Sequence, residues 1–218
     1  MIHTLEADSI QLEFSGRKIL QDIYIKCETG KITGLLGRNG GGKSCMMKII
    51  YGTMECERSV RIDKVSYKDV FNRNDLLQYL PQFNFIPGNF TLKKVFSDFS
   101  LDYGSFQNRF PEFSSFYKTR TGDLSGGQAR LVELYMIVRS PSKFAMLDEP
   151  FTHLSPIQVE RVKELLIEEK QTKGFLISDH MYRHITDLSD HLYVLVNGKT
   201  HLTKEIGDLG RLGYANVL

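Results

Sequence analysis

The run Gly37-Arg38-Asn39-Gly40-Gly41-Gly42-Lys43-Ser44 could do chemistry by itself. It fits G-x-x-x-x-G-K-[ST], the loop that wraps the phosphates of a nucleotide. Successive backbone N–H groups in such a loop form an anion-binding concavity. The helix that follows adds its positive N-terminal end. Lys43 can reach the terminal phosphates, and the Ser44 hydroxyl can ligate Mg²⁺. A strand-like run, Ile32 to Leu36, precedes the loop, and a helix-like run, Met46 to Ile50, follows it.

Two further segments carry chemical promise. Asp148-Glu149 ends the apolar run Phe144-Ala145-Met146-Leu147. A strand that ends in a carboxylate beside a phosphate loop can hold Mg²⁺ through water, which suits Asp148. Glu149 points elsewhere and can polarise an attacking water as a general base. An acidic cap or a solvated turn is the plainer alternative. The second segment is Leu124-Ser125-Gly126-Gly127-Gln128. Two glycines before a helix offer backbone N–H groups at a dipole's positive end, a second phosphate site. One chain cannot easily place two such sites on one triphosphate, so a second subunit is expected to supply the other. A Ser N-cap on a Gly-rich helix start is the structural alternative.

The elements that must position these residues follow from pattern. Ile10 to Phe14 alternates like a half-buried strand, and Ser15 to Lys18 reads as a turn. Ile23 to Cys27 resumes the strand pattern, and Glu28-Thr29-Gly30 turns into the strand before the phosphate loop. The chain thus opens with an antiparallel β portion. Gln78 to Gln82 reads as another strand end. From Phe83 to about Ser140 aromatic residues crowd the sequence and β-branched ones are few, which predicts a helical insertion with its clearest helix over Gly126 to Val138. Ser155, Pro156 and Gln158 give a helix start with a capping box. Val159, Val162, Leu165 and Leu166 form that helix's apolar stripe, and Lys173-Gly174 is expected to end it. Phe175 to Ser178 reads as a strand. Leu192 to Val196, Asn197-Gly198 and Lys199 to Leu202 read as a hairpin.

Composition narrows the class. The chain has 218 residues, 41% hydrophobic and 25% charged, as in ordinary globular domains. A net charge of +2 gives no footprint for nucleic acid. No apolar run approaches the ~20 residues needed to cross a bilayer. Met1 to Asp8 lacks the pattern of a secretory leader, and Cys27, Cys45 and Cys56 cannot all pair and lack metal-ligand spacing. A reducing cytoplasm is therefore expected.

Taken in order, the chain resembles the ATP-binding cassette family, specifically the ATPase subunits of membrane transporters. The matching features are the loop at Gly37 to Ser44, Gln82, the Leu124 to Gln128 signature, Asp148-Glu149, and His180 after a strand. They span about Leu5 to Leu202. The resemblance implies an α/β fold: a P-loop NTPase core with a RecA-like mixed sheet flanked by helices, an N-terminal antiparallel β subdomain and a helical insertion subdomain. It implies one domain over 1–218, with 1–82 and 141–218 forming the nucleotide-binding core and 83–140 the helical part. ATP and Mg²⁺ are the implied ligands. Gly37, Arg38, Asn39, Gly40, Gly41, Gly42, Lys43, Ser44 and Cys45 would line the phosphate site. Ser125, Gly126, Gly127 and Gln128 would reach the nucleotide of a second cassette, identical or homologous. Ser44, Gln82 and Asp148 would serve the metal, while Glu149, His180, Lys43 and Gln82 would serve hydrolysis.

Further roles come from the same resemblance. Phe14 lies where family members place an aromatic that stacks on adenine, although a core position would also explain it. Phe83, Phe85, Ile86 and Phe90 would form a groove for a helix of an integral membrane subunit on a separate chain, or else ordinary core. The implied location is cytoplasmic, at the inner face of the cell membrane. Three positions depart from the pattern. Cys45 replaces a threonine, and Ser155 an aspartate that meets the other subunit. No arginine stands three residues after Gln128, where the run is Ala129, Arg130, Leu131. A cysteine at a helix N-terminus can be reactive, or it can be an inert buried thiol. These departures put symmetric dimer communication in question and leave the hydrolytic residues intact. Two other functions compete with a transport ATPase. One is a cassette ATPase that works away from membranes. The other is a nucleotide-binding regulator that does not hydrolyse.

Overall fold

Hydrophobic patterning sorts the strands into two sheets with different surroundings. The computed structural model describes residues 1–180, 182–203 and 207–214. An antiparallel sheet near the N-terminus is built on β1 (Thr4–Phe14), which pairs with β2 (Arg17–Leu20), β3 (Tyr24–Glu28) and β5 (Glu57–Ile62). A two-residue strand, β6 (Val65–Ser66), extends it from β5. Leu5, Ala7, Ile10 and Leu12 of β1 are buried. Ser9 sits at φ 55°, and the pairing with β5 shifts between Asp8 and Gln11. That bulge restores the inward face after an extra residue.

The second sheet comprises β4 (Ile32–Gly37), β7 (Leu77–Leu80), β8 (Phe144–Asp148), β9 (Gly174–Asp179), β10 (His191–Val196) and β11 (Lys199–Thr203). Their order is β11-β10-β4-β9-β8-β7, parallel throughout except for β11. Every residue of β4, β8 and β9 is buried, as expected of parallel strands covered on both faces. Side-chain alternation divides them between two cores. Leu36, Ala145, Leu147, Phe175 and Ile177 join one core. Leu35, Phe144, Met146 and Leu176 join the other, with α1 (Lys43–Tyr51) and the N-terminal sheet. Because the strands are parallel, Gly37, Asp148 and Asp179 finish at one edge. That edge is where open α/β sheets bind ligands.

The first core continues into the stretch between Phe83 and Ser140, which holds α2 (Leu92–Asp98), α3 (Tyr103–Arg109) and α4 (Gly126–Arg139). Phe106 is fully buried, with ring centroids of Phe96, Phe110, Phe113 and Tyr135 at 5.1, 5.2, 4.8 and 4.9 Å. The aromatic crowding seen in the sequence is thus a packed cluster of tilted rings. Helix α5 (Pro156–Glu169) buries Val159, Val162, Leu165 and Leu166 as its stripe requires. Short helices α6 (Tyr182–Thr186) and α7 (Gly207–Arg211) follow β9 and β11.

Some expectations need correction. The turn after β1 is only Ser15-Gly16, because Arg17 and Lys18 already pair with Phe14 and Glu13. Gly174 does not end a helix; it opens β9, and α5 stops at Glu169. A Cβ on Gly174 would stand 2.7 Å from the Glu28 carbonyl oxygen, so close strand packing, not helix capping, requires glycine there. Lys173 is buried and donates to the carbonyls of Val138 and Ser140, closing the end of α4. Residues 215–218 of the expected core lie outside the described residues.

Candidate nucleotide site

The loop between β4 and α1 owes its shape to its glycines. Gly40 and Gly42 have φ values of 73° and 102°, which side chains resist. The N–H of Gly41 donates to Arg38 O at 3.0 Å. The loop leads into the N-terminus of α1, so backbone N–H groups and the helix dipole point the same way. The Lys43 side chain folds along the loop and donates to Gly37 O at 2.7 Å. Burial pushes its ammonium below the usual lysine range, while the charges of Glu149, Asp148 and Asp179 act the other way. Lys43 is therefore held among three carboxylates at the end of the sheet. Arg38 turns outward and donates to Gly213 O at 3.0 Å.

At the end of β8 the chain stops behaving as a strand. Asp148 is fully buried, and its oxygens accept from Ser178 Oγ at 2.5 Å and Tyr79 Oη at 3.2 Å. Burial and the Asp148 charge push the Tyr79 phenol well above its usual range, so it stays a donor. Glu149 takes φ 48°, a left-handed conformation rare for a glutamate. Its N–H donates to Ser178 O at 2.9 Å, which fixes the bend. The bend turns the carboxylate toward two other side chains. Oε2 accepts from Gln82 Nε2 at 3.0 Å, and Oε1 lies 3.7 Å from His180 Nδ1. His180 Nδ1 is also 3.4 Å from Asp179 Oδ1. Gln82, Glu149 and His180 come from three separate strand ends and meet at one point.

A cleft of about 450 Å³ is lined by Phe14, Ile19, the loop from Asn39 to Cys45, Gln82 and Glu149, whereas Asp148 and His180 do not line it. Phe14 is 51% exposed at its mouth, so the core alternative for that ring is wrong. Cys45 is half-buried and borders the cleft. Phe83 and Phe85 are exposed, at 76% and 38%, whereas Ile86 and Phe90 pack against the core, so the expected groove is only partly apolar surface.

The signature turn is not among the residues that line this cleft. Ser125 caps α4: its Oγ accepts from Gln128 N at 3.3 Å, and Gln128 Oε1 accepts from Ser125 N at 2.9 Å. A Cβ on Gly127 would stand 2.4 Å from His153 O, which requires glycine within the single chain. At the start of α5, the Ser155 N–H donates to Gln158 Oε1 at 3.0 Å, in keeping with its expected capping place.

Sequence reasoning missed Arg130. Its guanidinium is buried and donates to Pro81 O at 2.6 Å, Asp148 O at 2.5 Å and Glu149 O at 3.1 Å. An arginine sought three residues after Gln128 stands two residues after it and grips the backbone behind the acidic pair. A signal was present: Arg130 and Glu133 are the charged residues of an α4 stretch buried at every position from Ala129 to Val138. Such charges are retained where they have partners.

Fold and cleft together define a P-loop nucleotide-binding protein of the cassette type. The model of the ABC transporter family matches residues 20–152. The chain belongs to the ABC transporter family. It is an ATP-binding, ATP-hydrolysing subunit that powers a membrane transporter. It is 28% identical over 211 residues to the lipopolysaccharide export system ATP-binding protein LptB of Haemophilus influenzae, covering 89% of this chain and 88% of that protein. It is 26% identical to the galactose/methyl galactoside import ATP-binding protein MglA of Fusobacterium nucleatum, covering 95% of this chain and 45% of that one. Among solved structures, an ATP-binding subunit of an ABC transporter matches with a TM-score of 0.80 at 20% identity, over 98% of this chain and 95% of that chain. An ATP-bound bacterial Atm1-family exporter matches with a TM-score of 0.83 at 16% identity, over 97% of this chain and 40% of that chain.

Proposed function

We propose that two cassettes, identical or homologous, grip ATP between the Lys43 loop of one and the Ser125 turn of the other. Phe14 stacks on the base at the cleft mouth. Lys43 leaves its own loop carbonyls for the terminal phosphates. Glu149 accepts a proton from the attacking water as general base, with Gln82 orienting its carboxylate and His180 the adjoining phosphate. The meeting of Gln82 and His180 on the strained Glu149 carries this reading.

The donors near the loop suit a hard divalent cation. Asp148 is buried, yet its oxygens accept from hydroxyls rather than from a cationic side chain. Oxygen donors in small number match the habit of Mg²⁺. Ser44, Gln82 and Asp148 would hold Mg²⁺, which when bound supplies neutralisation of phosphate charge. Hydrolysis removes the phosphate that bridges the two cassettes, and the pair opens. The chain works as one unit in which residues 83–140 carry the signature turn. Membrane subunits on separate chains receive the stroke at Phe83 and Phe85 and hold the cassette at the inner face of the membrane.

The loop assignment is tested by Lys43→Ala. ATP turnover should fall by a factor on the order of 10² or more, read as phosphate release. Normal turnover in that variant would remove the loop from the site.

A further inference from the structure

Glu133 sits in the middle of α4, two per cent exposed, with no place in the chemistry above. Oε1 accepts from the N–H of Phe85 at 2.7 Å and of Ile86 at 2.9 Å. Burial pushes its carboxyl above the usual range, and those two N–H groups and Arg130 oppose that push. A buried carboxylate is costly unless its bonds matter. Its bonds bracket Gln82. Arg130, three residues earlier on the same helix face, holds Pro81 O on one side of Gln82. Glu133 holds the backbone at residues 85 and 86 on the other. Arg130 also holds the carbonyls of Asp148 and Glu149. One turn of α4 thus fixes both the segment that carries Gln82 and the bend that carries Glu149.

We infer that Glu133 is a positioning residue for hydrolysis: by anchoring the Phe85 and Ile86 amides to α4, it keeps Gln82 on Glu149. The inference rests on the proposed roles of Gln82 and Glu149. It names the group that sets their distance. Exposed Phe83 lies between the two anchors, so a push on it is passed to α4 rather than absorbed by a slack loop.

The action is through reach, not charge, and that makes it separable. Glu133→Asp keeps the charge and shortens the arm by one CH₂. Glu133→Gln keeps the arm and an accepting oxygen and loses the charge. With the full chain and Mg-ATP, Glu133→Asp should lower kcat at least about tenfold while KM for ATP stays within about twofold, because a displacement of order 1 Å at a catalytic group costs that much. Glu133→Gln should keep at least about half of the parent kcat. Hydrogen exchange at the Phe85 and Ile86 amides should speed up in the Asp variant and not in the Gln variant. The reverse ranking, or a loss of kcat and ATP affinity together in proportion to the fall in Tm, would overturn the inference. Amides of Phe85 and Ile86 that exchange in the parent chain as fast as an open loop would overturn it without any variant. Glu149→Gln in the same assay keeps the two readings apart. If that change leaves turnover intact, the hydrolytic reading fails, whatever the exchange data say of Glu133.

Discussion

Glu149 shows how much of the account depends on single residues. Its left-handed backbone costs ~1–3 kcal/mol, and Arg130 and Ser178 O hold it in place. The sequence marks the acidic pair by its place after an apolar run, but not the bend, which comes from β9. Arg130 was hidden for a different reason: spacing from the signature was the wrong ruler, and burial within an apolar helix face was the right one. Cys45 allows a direct test at this scale. It borders the cleft, half-buried, at the start of α1. Bound ATP should slow its alkylation several-fold relative to the apo chain, read by mass spectrometry of the labelled peptide. Equal rates with and without saturating ATP would place the thiol away from the nucleotide.

At the scale of elements, local signals were legible and long-range ones were not. The strand, loop and helix around Gly37 to Ser44 are contiguous, so their pattern is written in one window. The hairpin of β10 and β11 is legible for the same reason, with Asn197 and Gly198 both at positive φ. The place of β5 on β1 joins residues far apart in sequence, and nothing local announces it. Gly174 was misread because its glycine answers to a neighbouring strand. The turn from β3 into β4 carries an electrostatic prediction. Glu28 meets Lys26 Nζ at 2.7 Å and Lys31 Nζ at 3.0 Å, and those bonds hold its carboxyl down to about 2. The carboxyl is more acidic folded than unfolded, so its stabilisation is present above the unfolded value of 4.5 and lost as pH falls toward about 2. Glu28→Gln should therefore destabilise the chain by about 0.5 kcal/mol at pH 7, the scale of a solvated ion pair. Below about pH 2 the carboxyl is protonated in both states, and the two chains should unfold at the same urea concentration. A difference that persists below about pH 2 would assign the effect to packing.

At the scale of the molecule, one chain supplies half of each proposed site. Its cleft is lined by the Lys43 loop, and its signature turn does not line that cleft but caps α4. Among the described residues no helix is long and apolar enough to cross a membrane. Gly37 and Asp148 at the sheet edge were legible from the ends of two apolar runs, whereas Asp179 was not, because the third run was read only to Ser178. The proposed two-sided grip is read from a second glycine turn, Ser125 to Gln128, that does not line the cleft. The most direct test is light scattering of the Glu149→Gln chain with and without Mg-ATP. That chain should have a mass of 25.0 kDa without nucleotide and twice that mass with it. A mass of 25.0 kDa at saturating Mg-ATP would contradict the two-sided grip.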